Sequence, residues 1–304
     1  MPFTIFITGV SSGFGLKLAA IALKQGAKVI GTVRDTQKAS DSLAELTAIS
    51  SNFHHVTIDM IDSDRLSIVL NKAVKDHGPI DVLINNAGYF SLGPLEHFTQ
   101  KQARLQMETN FFAPLALMQT ILPHFRQRKS GTIVNISSMA GYRAYPGCSM
   151  YSASKFGLEA LSESLATEVA TFGVRVILVE PGSFRTEVFT PDKLAQSPSE
   201  LGWADEYKES AVGETSSFVQ EADGKQVGDT EKAVQKIWEV ICGMGIGSEF
   251  RERGRDGRVL RVPLGYDALE WLTESIEMRR EALKEFEVIA KSCNYDTRNP
   301  EMSL

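Results

Sequence analysis

Tyr151 and Lys155 stand four residues apart, and Ser138 precedes the tyrosine by thirteen. If the chain from Met150 onward is helical, the phenol and the ammonium share one face a single turn apart. An ammonium beside a phenol favours the phenolate, so the tyrosine pKa is expected below its ordinary value of about 10. Such a tyrosine exchanges a proton near neutral pH, and a serine hydroxyl near it can orient a substrate oxygen. YxxxK by itself is equally what an ordinary solvated helix turn looks like. The residues upstream of it supply the second half of a site.

Residues 3–8 form a short apolar run, followed by Gly9-Val10-Ser11-Ser12-Gly13-Phe14-Gly15 and then a helical pattern. A strand, a glycine loop and a helix in that order make a place for a pyrophosphate. Glycines let the backbone turn and approach the phosphates, and the helix N-terminus offers free N–H groups and a favourable dipole. The spacing is GxxxGxG rather than GxGxxG, so a tight turn without a ligand is the competing reading. The same residues satisfy GxSxG, the nucleophile elbow of hydrolases. That chemistry needs a histidine late in the chain, whereas His54, His55, His77, His97 and His124 all precede the last strands.

The elements that must position these groups follow from periodicity. Short apolar runs at residues 3–8, 28–33, 55–58, 82–85, 132–137 and 175–180 alternate with helix-like spacing at 15–25, 39–49, 65–77, 101–126 and 151–172. The later runs are almost continuously apolar, as strands covered on both faces must be. The alternation predicts an α/β chain with a doubly wound parallel sheet. After Pro181-Gly182 the pattern changes. Residues 183–230 read as a loop-and-helix insertion, 230–244 as a helix, 258–262 as a short strand, 266–289 as an amphipathic helix and 291–304 as a polar tail. One domain over 1–304 is expected, with 183–230 a variable lid and 265–304 a C-terminal extension.

A net charge of −6, with no lysine or arginine run, gives no reason to expect nucleic-acid binding. No apolar run approaches membrane-spanning length, and no basic-then-apolar leader opens the chain. Cys148, Cys242 and Cys293 have no metal-like spacing, so no metal site is expected and free thiols in the reducing cytoplasm are. Asn135-Ile136-Ser137 matches a glycosylation acceptor but falls in an apparent core strand.

Thr8-Gly9-x3-Gly13-x-Gly15, Asn85-Asn86-Ala87-Gly88, Ser138, Tyr151-x3-Lys155 and Pro181-Gly182 occur in that order. Over residues 3–190 the chain therefore resembles the short-chain dehydrogenase/reductases, whose fold is Rossmann-like. The resemblance implies that Gly9, Ser11, Gly13, Phe14 and Gly15 cradle a pyrophosphate, and that Asp59 lies near the adenine. It implies that Asn86, Ala87 and Gly88 close over the adenosine ribose and brace the sheet. Lys155 would hold the nicotinamide ribose as well as tune Tyr151, and Pro181, Gly182 and Thr186 would contact the carboxamide. Asn110 matches a fourth catalytic member, expected to hold a water that passes protons to Lys155; the alternative is an asparagine that is satisfied internally and bends its helix.

Arg34 ends the second strand where NADP-using members carry arginine, which favours NADP(H). Asp35 follows at once, and an acidic residue at that strand end would accept the ribose hydroxyls of NAD instead. The resemblance thus implies an oxidoreductase interconverting a ketone or aldehyde and an alcohol, assembled as a homodimer or homotetramer. Tyr89, Phe90, Tyr142, Tyr145, Phe184, Phe189, Trp203 and Phe218 fall in segments that choose the substrate, and they suit a bulky apolar one such as a steroid, terpenoid, polyketide or lipid-like carbonyl compound. The alternatives are a nucleotide-binding sensor or partner module without turnover, and an epimerase or dehydratase on the same fold.

Overall fold

A computed structural model describes residues 3–186, 205–222, 224–250, 252–254 and 256–293. Seven parallel strands form one sheet: β1 (Thr4–Ile7), β2 (Lys28–Val33), β3 (Phe53–Thr57), β4 (Val82–Asn85), β5 (Gly131–Ile136), β6 (Val174–Pro181) and β7 (Leu260–Leu264). Their spatial order is β3-β2-β1-β4-β5-β6-β7. The chain leaves β1 in one direction for β2 and β3, then in the other for β4 to β7. The point where the direction switches, at the carboxyl ends of β1 and β4, is where such sheets bind ligands.

The strands are apolar because both faces are covered. Every residue of β6 is buried, as is every residue of β1 and β4. One face carries α1 (Gly13–Lys24), α2 (Ser40–Ile49) and, further along the chain, the helix Thr230–Cys242, whose Val234, Ile237 and Trp238 join the same apolar core beside α1. The other face carries α3 (Ser63–His77), α5 (Ala113–Arg128) and α6 (Ser149–Val169), packed on Phe6, Ile30, Leu83 and Ile133, with α4 (Gln100–Met107) against α6. Helix starts obey local chemistry: Asp62 caps α3, and Thr99 with Gln102 makes a capping box on α4.

A buried polar ladder fixes the register of α6 on the sheet. Asn85 donates to Asn135 at 2.7 Å, and Asn135 donates to Ser162 of α6 at 2.8 Å. The apparent glycosylation acceptor is therefore a core residue, buried and bonded on both sides. Both amide nitrogens donate along the ladder while Asn85 Oδ1 is left without a protein partner, and the ladder ties two strands to the helix that carries Tyr151 and Lys155.

The predicted helix over 101–126 is not continuous. It opens into a π turn at Glu108–Phe112, where the Ala113 N–H reaches back to the Glu108 carbonyl. Pro114 is the cause: it has no N–H to give the Asn110 carbonyl four residues earlier, and its ring crowds that position. Beyond β6 the insertion contains α7 (Asp205–Lys208) and α8 (Ala211–Ala222), followed by α9 (Thr230–Cys242). The predicted helix over 266–289 is two, α10 (Tyr266–Glu285) and α11 (Glu287–Ser292). Among the described residues no helix is long and apolar enough to cross a membrane.

Candidate active site

The glycine loop leaves β1 and enters α1 with Gly9 at φ +73° and Gly13 at φ +56°, backbone that other residues rarely adopt. Gly15 is needed for a different reason. A Cβ there would lie 2.1 Å from the Gly9 carbonyl oxygen and 2.4 Å from the Asn86 amide nitrogen. Asn86 braces the loop from below, donating to the carbonyls of Thr8 and Gly9 at 2.9 Å each. The Thr8 hydroxyl accepts from the N–H groups of Asn86 and Ala87, and Thr32 of β2 accepts from the Gly9 N–H at 3.0 Å. Thr32 was not among the expected residues; its hydroxyl in an apolar strand was the available signal.

Phe14 packs edge-on against Phe184 at 5.3 Å, and Thr186 lies against Gly13, so the segment after β6 folds back over the loop. Ser11 is exposed at the rim, where its carbonyl accepts from Ser42. Arg34 is exposed one residue past β2, while Asp35 turns its Oδ1 onto the N–H groups of Gln37 and Lys38. The Ile58 N–H bonds the Val33 carbonyl, which places Asp59 and Arg34 at the same corner of the sheet. A loop with no room for a side chain at Gly15 and a helix N-terminus fit the pyrophosphate of a dinucleotide.

Ser138 begins a 3₁₀ turn after β5 (Met139–Gly141), its side chain accepting from the Ala140 N–H at 3.1 Å. Its hydroxyl is also hydrogen-bonded to the Tyr151 phenol. Lys155 is buried, donates to the Ile136 carbonyl at 2.7 Å, and lies 5.9 Å from the centre of the Tyr151 ring. Asn110, at the π turn, clamps the Tyr89 backbone with its amide, donating to the carbonyl at 3.0 Å and accepting from the N–H at 3.1 Å. It also donates to Ser154 at 3.2 Å. Gly88 brings the two groups together: a Cβ there would sit 3.1 Å from Asn110 Oδ1 and 3.8 Å from Lys155 Nζ. The tripeptide Asn86–Gly88 thus touches the glycine loop at one end and Asn110 with Lys155 at the other.

The expectation that Lys155 lowers the Tyr151 pKa is overturned. Burial pushes the phenol up to about 12, against the opposing hydrogen bond from Ser138. Burial also lowers Lys155 to about 8, with Glu159 opposing. Burial dominates, with Cys148 adding to it, and the Lys155 ammonium is directed to the Ile136 carbonyl. At neutral pH the pair is therefore a protonated phenol beside a cationic amine.

Pro181 ends β6, and Gly182 is held to β7 by its N–H on the Leu264 carbonyl. A Cβ at Gly182 would meet the Asp267 carboxylate at 2.2 Å and would have to displace it. Asp267 accepts from the Ser183 N–H at 2.6 Å and was not anticipated, being 85 residues downstream in an otherwise ordinary helix start.

On the open side of Tyr151, Phe90, Leu92, Cys148 and Val219 form a small apolar cluster with Tyr145. Phe90 meets Tyr151 edge-on at 4.9 Å, and Tyr145 stacks on Trp271 of α10 at 4.0 Å. Val219 belongs to α8, so the insertion helix closes over the tyrosine. Cys148 is buried, its thiol pushed up to about 12 by desolvation. The other expected aromatics do not join this cluster: Tyr89 is clamped by Asn110, Tyr142 lies over Arg261, Phe184 packs on Phe14, Phe218 is exposed, and Phe189 and Trp203 lie outside the described residues.

The family model of the short chain dehydrogenases matches residues 3–197. The chain belongs to that family. It is 35% identical over 239 residues to an uncharacterized oxidoreductase, YusZ, of Bacillus subtilis, covering 77% of this chain and 82% of the relative. It is 39% identical over 185 residues to a 3-ketodihydrosphingosine reductase of Bacteroides thetaiotaomicron, covering 61% and 65%. A short-chain dehydrogenase from Streptomyces avermitilis superposes with a TM-score of 0.81 at 34% identity, over 97% of this chain and all of the other. A metagenomic short-chain oxidoreductase solved with NADP superposes with a TM-score of 0.57 at 34% identity, over 60% of this chain and 83% of the other. As a short-chain dehydrogenase the chain is an oxidoreductase of Rossmann-like fold.

Proposed function

We propose that this short-chain dehydrogenase is an NADP(H)-dependent reductase of a ketone or aldehyde on a bulky apolar, lipid-like molecule. The observation that carries the reading is the meeting of Ser138, Tyr151 and Lys155 beneath an apolar cluster. Gly9, Ser11, Gly13, Phe14 and Gly15 would hold the pyrophosphate. Arg34 would bind the 2′-phosphate, since the Asp35 carboxylate is engaged by its own turn. Asp59 would face the adenine, Asn86, Ala87 and Gly88 the adenosine ribose, and Pro181, Gly182 and Thr186 the carboxamide. A bound NADP(H) supplies the hydride exchanged with the substrate carbon.

Tyr151 donates its phenolic proton to the substrate oxygen, a role suited to a group that stays protonated at neutral pH. Ser138 donates a second hydrogen bond to that oxygen and orients the phenol. Lys155 holds the nicotinamide ribose and its charge favours proton loss from Tyr151 at the moment of transfer. Asn110 positions this machinery through Tyr89 and Ser154. Its backbone carbonyl, deprived of a donor by Pro114, accepts the water that reloads Lys155 with a proton.

The similarity to a 3-ketodihydrosphingosine reductase, and the cluster of Phe90, Leu92, Cys148 and Val219, favour a ketone near the end of a long aliphatic chain. We place the chain in the cytoplasm as one domain, with 183–230 as its lid and a homodimer or homotetramer as its assembly. The test is consumption of NADPH and NADH, separately, with a panel of long-chain 3-ketones and aldehydes. NADPH is expected to be preferred, with a product heavier than the substrate by two hydrogens. Tyr151→Phe should lower kcat about a thousandfold while leaving NADPH affinity within about twofold. A product of unchanged mass would point to an epimerase, and tight NADPH binding with no turnover to a sensor.

A further inference from the structure

Behind the site lies a charged cluster that the proposed reaction does not use. Arg261 of β7 donates to Glu159 of α6, to Glu180 of β6 at 2.5 Å and to Glu163 of α6 at 2.5 Å. Three carboxylates thus surround one guanidinium. Glu163 is well exposed, but Glu159 and Glu180 are buried. Two ionised carboxylates in that position, with one positive charge between them, are costly.

The hydrogen bonding points the same way. Glu159 Oε1 and Glu180 Oε2 are buried without a hydrogen-bond partner, as is the Ser137 hydroxyl beside Glu159. The two carboxyl groups lie within hydrogen-bonding reach of each other. Two acceptors facing one another make a bond only when a proton lies between them.

The pair also touches the catalytic groups. Glu159 is one turn past Lys155 on α6. The turn that begins at Ser138 rests on it: a Cβ at Gly141 would sit 3.1 Å from Glu159 Cγ, 2.8 Å from Ser137 Oγ and 3.2 Å from the Lys155 carbonyl carbon. Glu180 immediately precedes Pro181-Gly182. Facing Glu159 are Lys155 and Glu163 from its own helix, Ser137 from the end of β5, Glu180 from β6 and Arg261 from β7. The Tyr142 ring covers Arg261 at 5.7 Å and carries Arg279 of α10 on it at 4.4 Å.

We propose that Glu159 and Glu180 share a single proton against Arg261, and that this pair seats the Ser138 turn and sets how firmly Lys155 keeps its charge. Desolvation pushes Glu180 up to about 7, aided by the Glu159 charge and opposed by Arg261. Desolvation raises Glu159 as well, with Ser137 and Arg261 opposing. The Glu159 charge in turn raises Lys155, against the burial that lowers it. Both glutamates are positioning residues. The shared proton stands on the cluster alone; the link to Lys155 rests on the proposed reduction.

The test begins with the wild-type chain carrying carbon-13 at glutamate Cδ. One carboxyl carbon is expected to titrate near pH 7, far above the ordinary glutamate value of about 4.3. In Glu159→Gln and in Glu180→Gln that titration should vanish, because the remaining carboxylate pairs with Arg261 and takes its hydrogen from the amide. If no glutamate carbon titrates above about pH 6, or the titration survives in both variants, the shared proton is wrong.

The second arm is the pH profile of NADPH-driven reduction. In Glu159→Gln the alkaline limb should move to lower pH, with kcat at pH 8 falling about threefold or more and KM for NADPH changing less than about twofold. A limb that stays in place overturns the link to Lys155. Absence of turnover in every form sinks the reductase reading, while the carbon-13 titration still decides the shared proton.

Discussion

The two halves of the site are held by different kinds of contact. Around the glycine loop, Thr8, Thr32 and Asn86 fix backbone N–H and carbonyl groups, and Gly15 has no room for a single extra carbon. On the far side of Tyr151, Phe90, Leu92, Cys148 and Val219 meet through apolar packing, under a helix from the insertion. Hydrogen-bonded backbone specifies one geometry, whereas side-chain packing tolerates changes of volume. The half proposed to meet the nucleotide is thus built to be rigid, and the half proposed to meet the substrate is built to be adjustable.

The sharpest way to break this contrast is to add one methyl group to the first half and remove two from the second. Gly15→Ala must displace the Gly9 carbonyl, so it should cost about 1–3 kcal/mol of stability. NADPH affinity should fall by about a hundredfold as the loop is displaced. Thermal melts and NADPH fluorescence titration measure both. A variant that binds NADPH normally would show that the loop yields as readily as the substrate side.

Lys155 joins the halves, and pH reads its charge. Its burial-lowered pKa of about 8 means that the ammonium is present below that pH and lost above it. Tyr151, pushed up to about 12, stays protonated across the same range. The rate of reduction should therefore hold steady below pH 7 and fall about tenfold per unit above about pH 8. An alkaline limb beyond pH 10 would assign the titration to the phenol instead.

Val219→Ala should have the smallest effect. It trims the apolar cluster on the side facing the insertion, and is expected to change KM for a long-chain ketone by less than about tenfold. NADPH affinity should not move. A shift in both would mean that the two halves are mechanically coupled through α8.

Much of this was legible in the sequence because the signals are local. Continuous apolar runs marked the six strands 3–8 through 175–180, and the seven-strand sheet has their parallel, doubly wound arrangement. The spacing of Ser138, Tyr151 and Lys155 sufficed to bring them to one place, since β5 and α6 are consecutive elements. The break at Asn110 was also legible, in Pro114, but the apolar periodicity around it masks the missing N–H.

Other features have no local signature. Arg261 lies 98 residues from Glu163 and 81 from Glu180, so only the adjacency of β6 and β7 reveals the cluster. The direction of the Tyr151 shift is hidden from the sequence for a related reason. Spacing reports that Lys155 is near, but not that its ammonium is directed to a main-chain carbonyl, nor how much protein surrounds the phenol.

Hydride transfer itself is the most direct measurement to make. Reduction of a long-chain 3-ketone with NADPH carrying two deuterons at nicotinamide C4 should give an alcohol with one deuterium on the carbinol carbon, and Tyr151→Phe should all but abolish its formation. Label that stays on the cofactor while product forms, or product that forms as fast without the phenol, would contradict a reduction in which Tyr151 supplies the proton.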